Sequence, residues 1–163
     1  MKIVNVTSGR ELQAVRALLE EYWESFGFPP SLQNFASEIV RLPGDYAPPA
    51  GRLALALAGE EQAGCIALRR LDAQRCEAKR LYVREKFRGQ GAGRALLEWL
   101  VNEARQAGYS EMCGDTLPVM AGALALYERM GFERTGPYAA NPTPGAIFLR
   151  LNLRQGNGKE MAK

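Results

Sequence analysis

The sequence segment best suited to binding a ligand is a glycine-rich stretch between basic residues. It precedes an apolar run with helical spacing and consists of Arg88, Gly89, Gln90, Gly91, Ala92, Gly93 and Arg94. Glycine lets the backbone turn tightly so that its N–H groups converge, and the amino terminus of a helix attracts negative charge. The stretch therefore predicts an anion site, for which a pyrophosphate is a suitable ligand.

Two common phosphate loops do not fit this stretch. A Walker loop has Lys and then Ser or Thr directly after its last glycine, whereas Arg94 and Ala95 follow Gly93. A dinucleotide fingerprint has a small residue at its sixth position, where counting from either earlier glycine puts Arg94 or Leu96. The pattern that remains is Arg-x-x-Gly-x-Gly.

A basic cluster surrounds the glycines, and it has other interpretations. It comprises Lys79, Arg80, Arg84, Lys86, Arg88 and Arg94, with Glu85 as the one acid among them. Such a cluster suits RNA phosphates, and it is also typical of a solvated surface. The chain has 21 basic and 18 acidic residues, so its net charge of +3 is too small to favour nucleic acid. We expect no nucleic-acid partner.

The residue types present limit the acid–base chemistry. The chain has no histidine, which excludes histidine triads, a histidine base and histidine-ligated zinc. Proton transfer then falls to Glu, Asp, Tyr, Cys or Lys, and no metal site is predicted. The three cysteines, Cys65, Cys76 and Cys113, are far apart and lie in apolar runs, so we interpret them as reduced, packed thiols.

The surrounding pattern predicts a mixed α/β fold with antiparallel strands first. The predicted strands lie around 2–7, 52–58, 62–69, 75–83, 109–116, 132–135 and 146–153. The predicted helices begin after Ser8, after Ser31 and near 90 and 119, and they end by 28, 42, 106 and 130. In the second helix the residues predicted to face inward are Leu32, Phe35, Ile39 and Val40.

The length of the chain indicates one domain. A chain of 163 residues buries a sizeable core without disulfides or metals. We predict a single domain over residues 1–153 and a polar, disordered tail over 154–163. The first residues lack the apolar core of a signal peptide, and no window approaches the ~20 apolar residues of a membrane span. A cytoplasmic protein with no membrane partner is predicted.

Two motifs resemble those of the GCN5-related N-acetyltransferase (GNAT) family. Arg88, Gly91 and Gly93 follow a strand ending in Leu81-Tyr82-Val83 and precede an apolar helix, as in the acetyl-CoA motif of that family. The segment ALYERMGF over 125–132 is similar to the helix-to-strand segment in which a tyrosine lies near the CoA sulfur. The resemblance covers about half of the chain. It implies the GNAT fold, a mixed, mostly antiparallel sheet flanked by helices.

The resemblance also implies an N-acetyltransferase that uses acetyl-CoA to acetylate a primary amine directly. Its cofactor-binding residues would be Leu81, Tyr82 and Val83, through backbone N–H groups of a splayed strand, and the stretch from Arg88 to Arg94. Tyr127 would be the general acid for the leaving thiolate, because phenol and thiol pKa values of roughly 10 and 8.5 allow proton transfer. Spacing alone favours a core residue instead, because Met120, Leu124 and Tyr127 fall at i, i+4 and i+7.

Glu77 is the predicted general base. Strand alternation places Glu77, Lys79, Leu81 and Val83 on one face, from which a carboxylate can deprotonate the acceptor ammonium through a water. A salt bridge to a neighbouring Lys or Arg is the alternative role for Glu77. An acetyl-cysteine intermediate is not favoured, because no histidine is present to form the thiolate.

The sequence leaves the acceptor open. The residues predicted to select it are the loop 137–145 and the aromatic residues Tyr22, Trp23, Phe26, Phe28 and Tyr46. A small molecule (an amino acid, a polyamine or an antibiotic) and a protein amine all fit, and a homodimer is neither selected nor excluded. The rival function is a binding module that senses acyl-CoA without turnover or binds RNA through the basic cluster.

Overall fold

The computed structural model describes residues 1–139 and 143–154 of the chain. In that part of the chain the seven strands are β1 (Lys2–Asn5), β2 (Arg52–Ala58), β3 (Glu61–Arg70), β4 (Arg75–Val83), β5 (Glu111–Thr116), β6 (Glu133–Thr135) and β7 (Ile147–Asn152). The α-helices that lie wholly in it are α1 (Gly9–Ser25), α2 (Phe35–Arg41), α3 (Ala92–Gln106) and α4 (Ala121–Arg129).

The strands form one sheet in the order β1-β2-β3-β4-β5-β7-β6. Neighbouring strands are antiparallel, except that β4 and β5 are parallel. A parallel pair requires a crossover connection, which contains α3 in this chain. The prediction of a mixed, mostly antiparallel sheet flanked by helices is confirmed.

Helices cover both faces of the sheet, because successive strand side chains point to opposite sides. One face packs against α1 and α2, and its residues on β2 and β3 include Leu53, Leu55, Cys65 and Ala67. The other face packs against α3 and α4, and its residues include Ala54, Ala56, Ile66 and Leu68. We name these surfaces the α1 face and the α3 face of the sheet.

The second predicted helix differs from the one observed. A 3-10 turn over Leu32–Asn34 comes first, in which Gln33 and Asn34 have left-handed φ angles of 56° and 59°. The helix α2 therefore begins only at Phe35, which is buried. The prediction that Val40 faces inward is wrong, because this residue is 79% exposed on the outer side of the shorter helix.

A β-bulge interrupts the pairing of β4 with β3. The two strands pair at Ala67 and Lys79 and again at Cys65 and Tyr82, so β4 has two residues where β3 has one. Arg80 lies in this bulge with a left-handed φ of 62°. An inserted residue of this kind reverses the alternation of side chains along the rest of the strand.

The bulge separates residues that alternation had placed together. On β4, Glu77 and Lys79 pair with Arg69 and Ala67 of β3 and lie on the α1 face. In contrast, Leu81 and Val83 pack against the core of the α3 face. The prediction that all four share one face is wrong, because it assumed an uninterrupted strand.

In residues 1–139 and 143–154, no helix combines the length and the apolar character that a membrane span requires. The single domain over 1–153 stays a prediction. So does the tail over 154–163, of which residues 155–163 lie outside the described residues.

Candidate functional site

The strands β4 and β5 separate near the centre of the sheet. Their parallel pairing ends at Ala78 and Gly114, while β4 continues to Val83 and β5 to Thr116. Past this point, the edge of β4 that faces β5 has no partner strand in the described part of the chain. A gap of this kind leaves backbone N–H and C=O groups that a ligand can use.

A cleft of about 480 Å³ opens beside the gap, between β4, the glycine-rich stretch and α4. Nine of the ten predicted cofactor residues line it: Leu81, Tyr82, Val83, Arg88, Gly89, Gly91, Ala92, Gly93 and Arg94. Gln90 does not line it, and its side-chain amide donates to the Lys86 carbonyl at 3.2 Å. The fold thus brings the predicted strand and loop residues together.

Three glycines shape the loop in two different ways. Gly89 and Gly91 have left-handed φ angles of 76° and 84°, and Gly91 is the N-cap of α3. A side chain at either position would strain the backbone. At Gly93, a Cβ would lie 3.3 Å from Leu126 Cδ2 and 3.6 Å from Val83 Cγ2. Gly93 therefore allows α3 to pack closely against the cleft wall.

The two arginines of the loop are exposed and have local partners. Arg88 Nε donates to the Val83 carbonyl at 3.0 Å, and Arg94 Nε pairs with Glu98 at 2.8 Å. Elsewhere in the basic cluster, Arg84 pairs with Glu21, Lys86 with Glu61 and Arg80 with Glu38. These three acids offset part of the positive charge of the basic cluster.

Tyr82 joins β4 to α1. Its ring stacks on Tyr22 with centroids 5.2 Å apart, and its hydroxyl donates to Glu21 Oε2 at 2.7 Å. Burial, with the bond to Glu21, raises the pKa of this phenol to about 12. Tyr82 therefore holds the strand edge of the cleft against the helix.

Tyr127 lines a second, narrow cavity of about 40 Å³ next to the cleft. Its ring packs against Phe132, with centroids 4.9 Å apart, and lies against Gly114. Burial raises the pKa of the Tyr127 phenol. The hydroxyl makes no hydrogen bond with any described residue. Tyr127 is thus a core residue at 3% exposure that still presents a protonated, unused hydroxyl.

Glu77 is buried, and each of its two carboxylate oxygens accepts a hydrogen bond. Arg69 Nε donates to Oε1 at 2.6 Å, and the Tyr138 hydroxyl donates to Oε2 at 2.6 Å. Burial raises the pKa of the Glu77 carboxyl, but the charges of Lys79 and Arg69 and the two hydrogen bonds outweigh it, so the pKa is lowered. The salt bridge considered as the alternative role is present. Glu77 lines neither cavity.

Besides Arg80 and Gln33, which hydrogen-bond to each other, three polar residues of the narrow cavity were not among the predicted site residues. They are Lys79, Asp115 and Thr116, which follow the last paired positions of β4 and β5. The Thr116 hydroxyl oxygen is buried and has no hydrogen-bond partner within the described residues. A charged residue in a mostly buried strand was the available sequence signal for Asp115.

Most of the aromatic residues predicted to select the acceptor do line a cavity. Tyr22, Trp23 and Phe28 line the narrow cavity, and Phe26 lines the cleft. Tyr46 lines neither of these cavities and packs into the core of the α1 face, so its predicted place in a cavity wall is wrong. In the predicted loop 137–145, residues 140–142 lie outside the described residues.

The cysteines are free and buried. Burial raises the pKa of the Cys65 and Cys113 thiols to about 12, and it also raises that of Cys76. Thiolate formation is therefore disfavoured at neutral pH, and an acetyl-cysteine route lacks an activated nucleophile.

Comparison with known proteins extends the likeness beyond the two motifs. The chain matches the model of the acetyltransferase (GNAT) family over residues 12–132. An uncharacterized N-acetyltransferase of Schizosaccharomyces pombe is 34% identical over 146 residues, which cover 88% of this chain and 90% of that protein.

Solved structures share the fold. An acetyltransferase from Streptococcus agalactiae superposes with a TM-score of 0.78 at 20% identity, covering 93% of this chain and 97% of that one. A GNAT family acetyltransferase from Elizabethkingia anophelis, with acetyl-CoA bound, has a TM-score of 0.66 at 25% identity over the same shares of the two chains.

Proposed function

Since this chain belongs to the acetyltransferase (GNAT) family, we propose that it transfers the acetyl group of acetyl-CoA directly to a primary amine. Its homologues are N-acetyltransferases, and the chain is an acetyl-CoA-dependent acyltransferase. The observation that carries the proposed acceptor chemistry is the gap between β4 and β5. It borders the glycine-lined cleft on one side and the narrow polar cavity on the other.

In this proposal the cleft holds acetyl-CoA, which supplies an activated acetyl group and a thiolate leaving group. Gly89 and Gly91 have open space where a Cβ would stand, so their backbone can approach a phosphate closely. The β4 backbone over Leu81, Tyr82 and Val83 provides the unpaired edge for amide groups of the cofactor. Arg88 and Arg94 lie at the cleft rim as further cations.

Tyr127 is the proposed general acid. Its raised pKa keeps the phenol protonated throughout the neutral range. Its hydroxyl has no competing acceptor in the described part of the chain, so it is free to donate a proton to the departing sulfur. Both features support the acid role without requiring Tyr127 to leave its place in the core.

Glu77 is the proposed general base, acting through a water. An ionised carboxylate offers about four acceptor positions, of which Arg69 and Tyr138 use one each. The lowered pKa keeps Glu77 ionised at neutral pH, as a base requires. The lowered pKa also makes Glu77 a weak base, and the pH profile of a Glu77→Gln variant tests this role directly.

Direct transfer is proposed because no cysteine is activated. The three thiols are buried and have raised pKa values. The amine nitrogen would attack the thioester carbonyl itself, forming the C–N bond as the C–S bond breaks. Through a water, Glu77 takes one proton from the acceptor ammonium before attack, and Tyr127 gives its proton to the departing sulfur. The second proton, lost by the nitrogen once the C–N bond has formed, passes through solvent to the Tyr127 phenolate and restores the phenol.

Thiol release from acetyl-CoA tests the proposal. The purified protein is assayed against amino acids, polyamines, aminoglycosides and peptide amines, and acetylated products are identified by mass spectrometry. We expect amine-dependent thiol release with at least one class. The matched controls are a reaction without acceptor and reactions with alcohol analogues of the active amines. Acetyl-CoA binding without any amine-dependent release would contradict the proposal and favour an acyl-CoA sensor.

A further inference from the structure

Two opposite charges stand at the point where the sheet opens. Lys79 and Asp115 are the next residues after the last parallel pair, Ala78 and Gly114. Continued pairing would place them opposite each other on one face. Both line the narrow cavity that forms in the gap.

Neither charge has a direct partner. Lys79 and Asp115 form no ion pair or hydrogen bond with each other or with any other residue that the structure describes. The neighbouring charges are satisfied, since Arg80 binds Glu38 and Arg69 binds Glu77. Lys79 and Asp115 are therefore the charges of the cavity left for a ligand.

Both charges lose hydration without a direct ion pair in return. Burial lowers the pKa of the Lys79 ammonium, although nearby Glu77 opposes this. Burial likewise raises the pKa of the Asp115 carboxyl, although Lys79 opposes it. A ligand that brings a negative group to Lys79 and a positive group to Asp115 would relieve both costs.

The other residues and the volume of the narrow cavity limit the size and the chemistry of the ligand. The Thr116 hydroxyl, on a residue 4% exposed, lines the same cavity and has no hydrogen-bond partner in residues 1–139 and 143–154. The cavity of about 40 Å³ has room for a few heavy atoms, roughly three water molecules. Its aromatic lining includes Tyr22, Trp23 and Phe28 beside Tyr127. A small head with two opposite charges and an apolar extension fits this lining.

We propose that the acetyl acceptor is a free α-amino acid with an apolar or aromatic side chain, its carboxylate on Lys79 and its ammonium on Asp115. This inference rests on the proposed amine acetylation. Among the acceptor classes that the sequence leaves open, a polyamine would bring a second cation toward Lys79. A protein amine lacks the adjacent carboxylate.

Matched acceptors test the inference in the wild-type protein. Thiol release is measured with L-phenylalanine, L-phenylalaninamide and phenethylamine, and with other apolar L-amino acids and their amides. The three aromatic acceptors share a ring and an amine, and only the first has a carboxylate. We expect kcat/KM to be at least ~30-fold higher for the amino acid, the usual effect of removing one partner of a desolvated charge pair.

Variants of Lys79 and Asp115 test whether these residues cause the preference for an amino acid over its amide. Lys79→Met keeps the length of the side chain and removes its charge, so it should raise KM for the amino acid at least ~30-fold and leave the amide unchanged. Asp115→Asn should raise KM for both. Lys2→Met, on the exposed edge of β1, is the matched control and should change neither value.

The outcomes separate the two levels of the proposal. Equal rates with amino acid and amide, or turnover confined to polyamines, would leave N-acetylation standing and overturn the inference. A wild-type preference that persists in Lys79→Met would also overturn it. So would loss of acetyl-CoA binding in that variant, since Lys79 would then serve the cofactor. Absence of turnover with every amine would overturn both.

Discussion

Arg69 and Glu77 are opposite residues of the antiparallel pair β3 and β4, and Arg69 Nε donates to Glu77 Oε1 at 2.6 Å. The Glu77 side chain is 3% exposed and that of Arg69 is 36% exposed. The carboxylate is therefore the desolvated partner and depends on its hydrogen bonds. Its role in stability and its role in catalysis require separate measurements.

Glu77→Gln should lower the free energy of unfolding by about 2 kcal/mol, because a buried hydrogen bond to a charged group is weakened. The pKa of Glu77 is lowered in the folded state. Its stabilisation is therefore present above the unfolded value of about 4.3 and lost as pH falls through the folded value. Urea unfolding at about pH 7 and about pH 3 checks this. A difference that does not shrink in acid would contradict it.

In kinetics, Glu77→Gln should lower kcat/KM across the neutral range, because the amide cannot accept the ammonium proton. The measurement is the pH profile of thiol release for folded enzyme. Glu61→Gln is the control, since Glu61 pairs with Lys86 at the exposed surface. A profile equal to that of the wild type would leave Glu77 with its structural salt bridge alone.

Tyr127→Phe should lower kcat by ~10²–10⁴-fold and leave the affinity for acetyl-CoA almost unchanged, because only the proton donor is lost. The hydroxyl makes no hydrogen bond with the described residues, so we expect stability to change by no more than about 0.5 kcal/mol. Single-turnover rates are measured, so that slow product release does not hide the effect.

Tyr109→Phe is the matched control, with the opposite expectation. The Tyr109 hydroxyl donates to the Ala50 carbonyl at 2.8 Å, so its loss should cost about 0.5–1.5 kcal/mol of stability and leave kcat unchanged. If Tyr127→Phe keeps the wild-type single-turnover rate, Tyr127 is a packing residue only.

Gly91→Ala should weaken acetyl-CoA binding ~10–100-fold, because strain at the turn displaces backbone N–H groups that meet the pyrophosphate. Gly108→Ala is the control. Gly108 also has a left-handed φ, of 94°, and open space at its Cβ position, but it follows α3 at the other end. Calorimetric titration should show a raised Kd for Gly91→Ala alone. Equal affinities in the two folded variants would remove Gly91 from the cofactor site.

Glu38→Gln should destabilise the fold by about 2–3 kcal/mol. Both Glu38 oxygens accept hydrogen bonds at 2.8 Å from Arg80, whose side chain is 4% exposed and lies over the Trp23 ring. Removing the negative charge leaves a buried guanidinium without its ion pair. Glu98→Gln removes the exposed helix pair with Arg94 and should cost no more than about 0.5 kcal/mol. Denaturant titrations measure the unfolding free energy of both variants. Equal losses in the two would contradict the prediction that the buried pair stabilises the fold more than the exposed pair.

Several elements were predictable from the sequence because their causes are local. The predicted bounds of β2 and β4 are those observed, since apolar runs and turn residues mark strands directly. The glycine-rich stretch was also readable, because the φ angles of Gly89 and Gly91 and the start of α3 are local requirements. The family and the fold followed from these segments, and nine of the predicted cofactor residues line the cleft.

Contacts between distant segments were decided by the tertiary structure alone. Arg80 occupies a bulge and binds Glu38, 42 residues earlier in the chain. No local sequence pattern predicts that bulge. It moves Glu77 to the α1 face while Leu81 and Val83 stay on the α3 face. The alternation rule failed here because one inserted residue reverses every side chain beyond it.

The narrow cavity also depends on contacts between distant segments of the chain. Lys79 and Asp115 line the same cavity because β4 and β5 pair in parallel as far as Ala78 and Gly114 and then separate. The sequence determined which residues carry charge and which strands they occupy. The register between strands and the point of their separation depend on packing of the whole sheet against α1 and α3, which is why only the folded chain shows that Lys79 and Asp115 line one cavity.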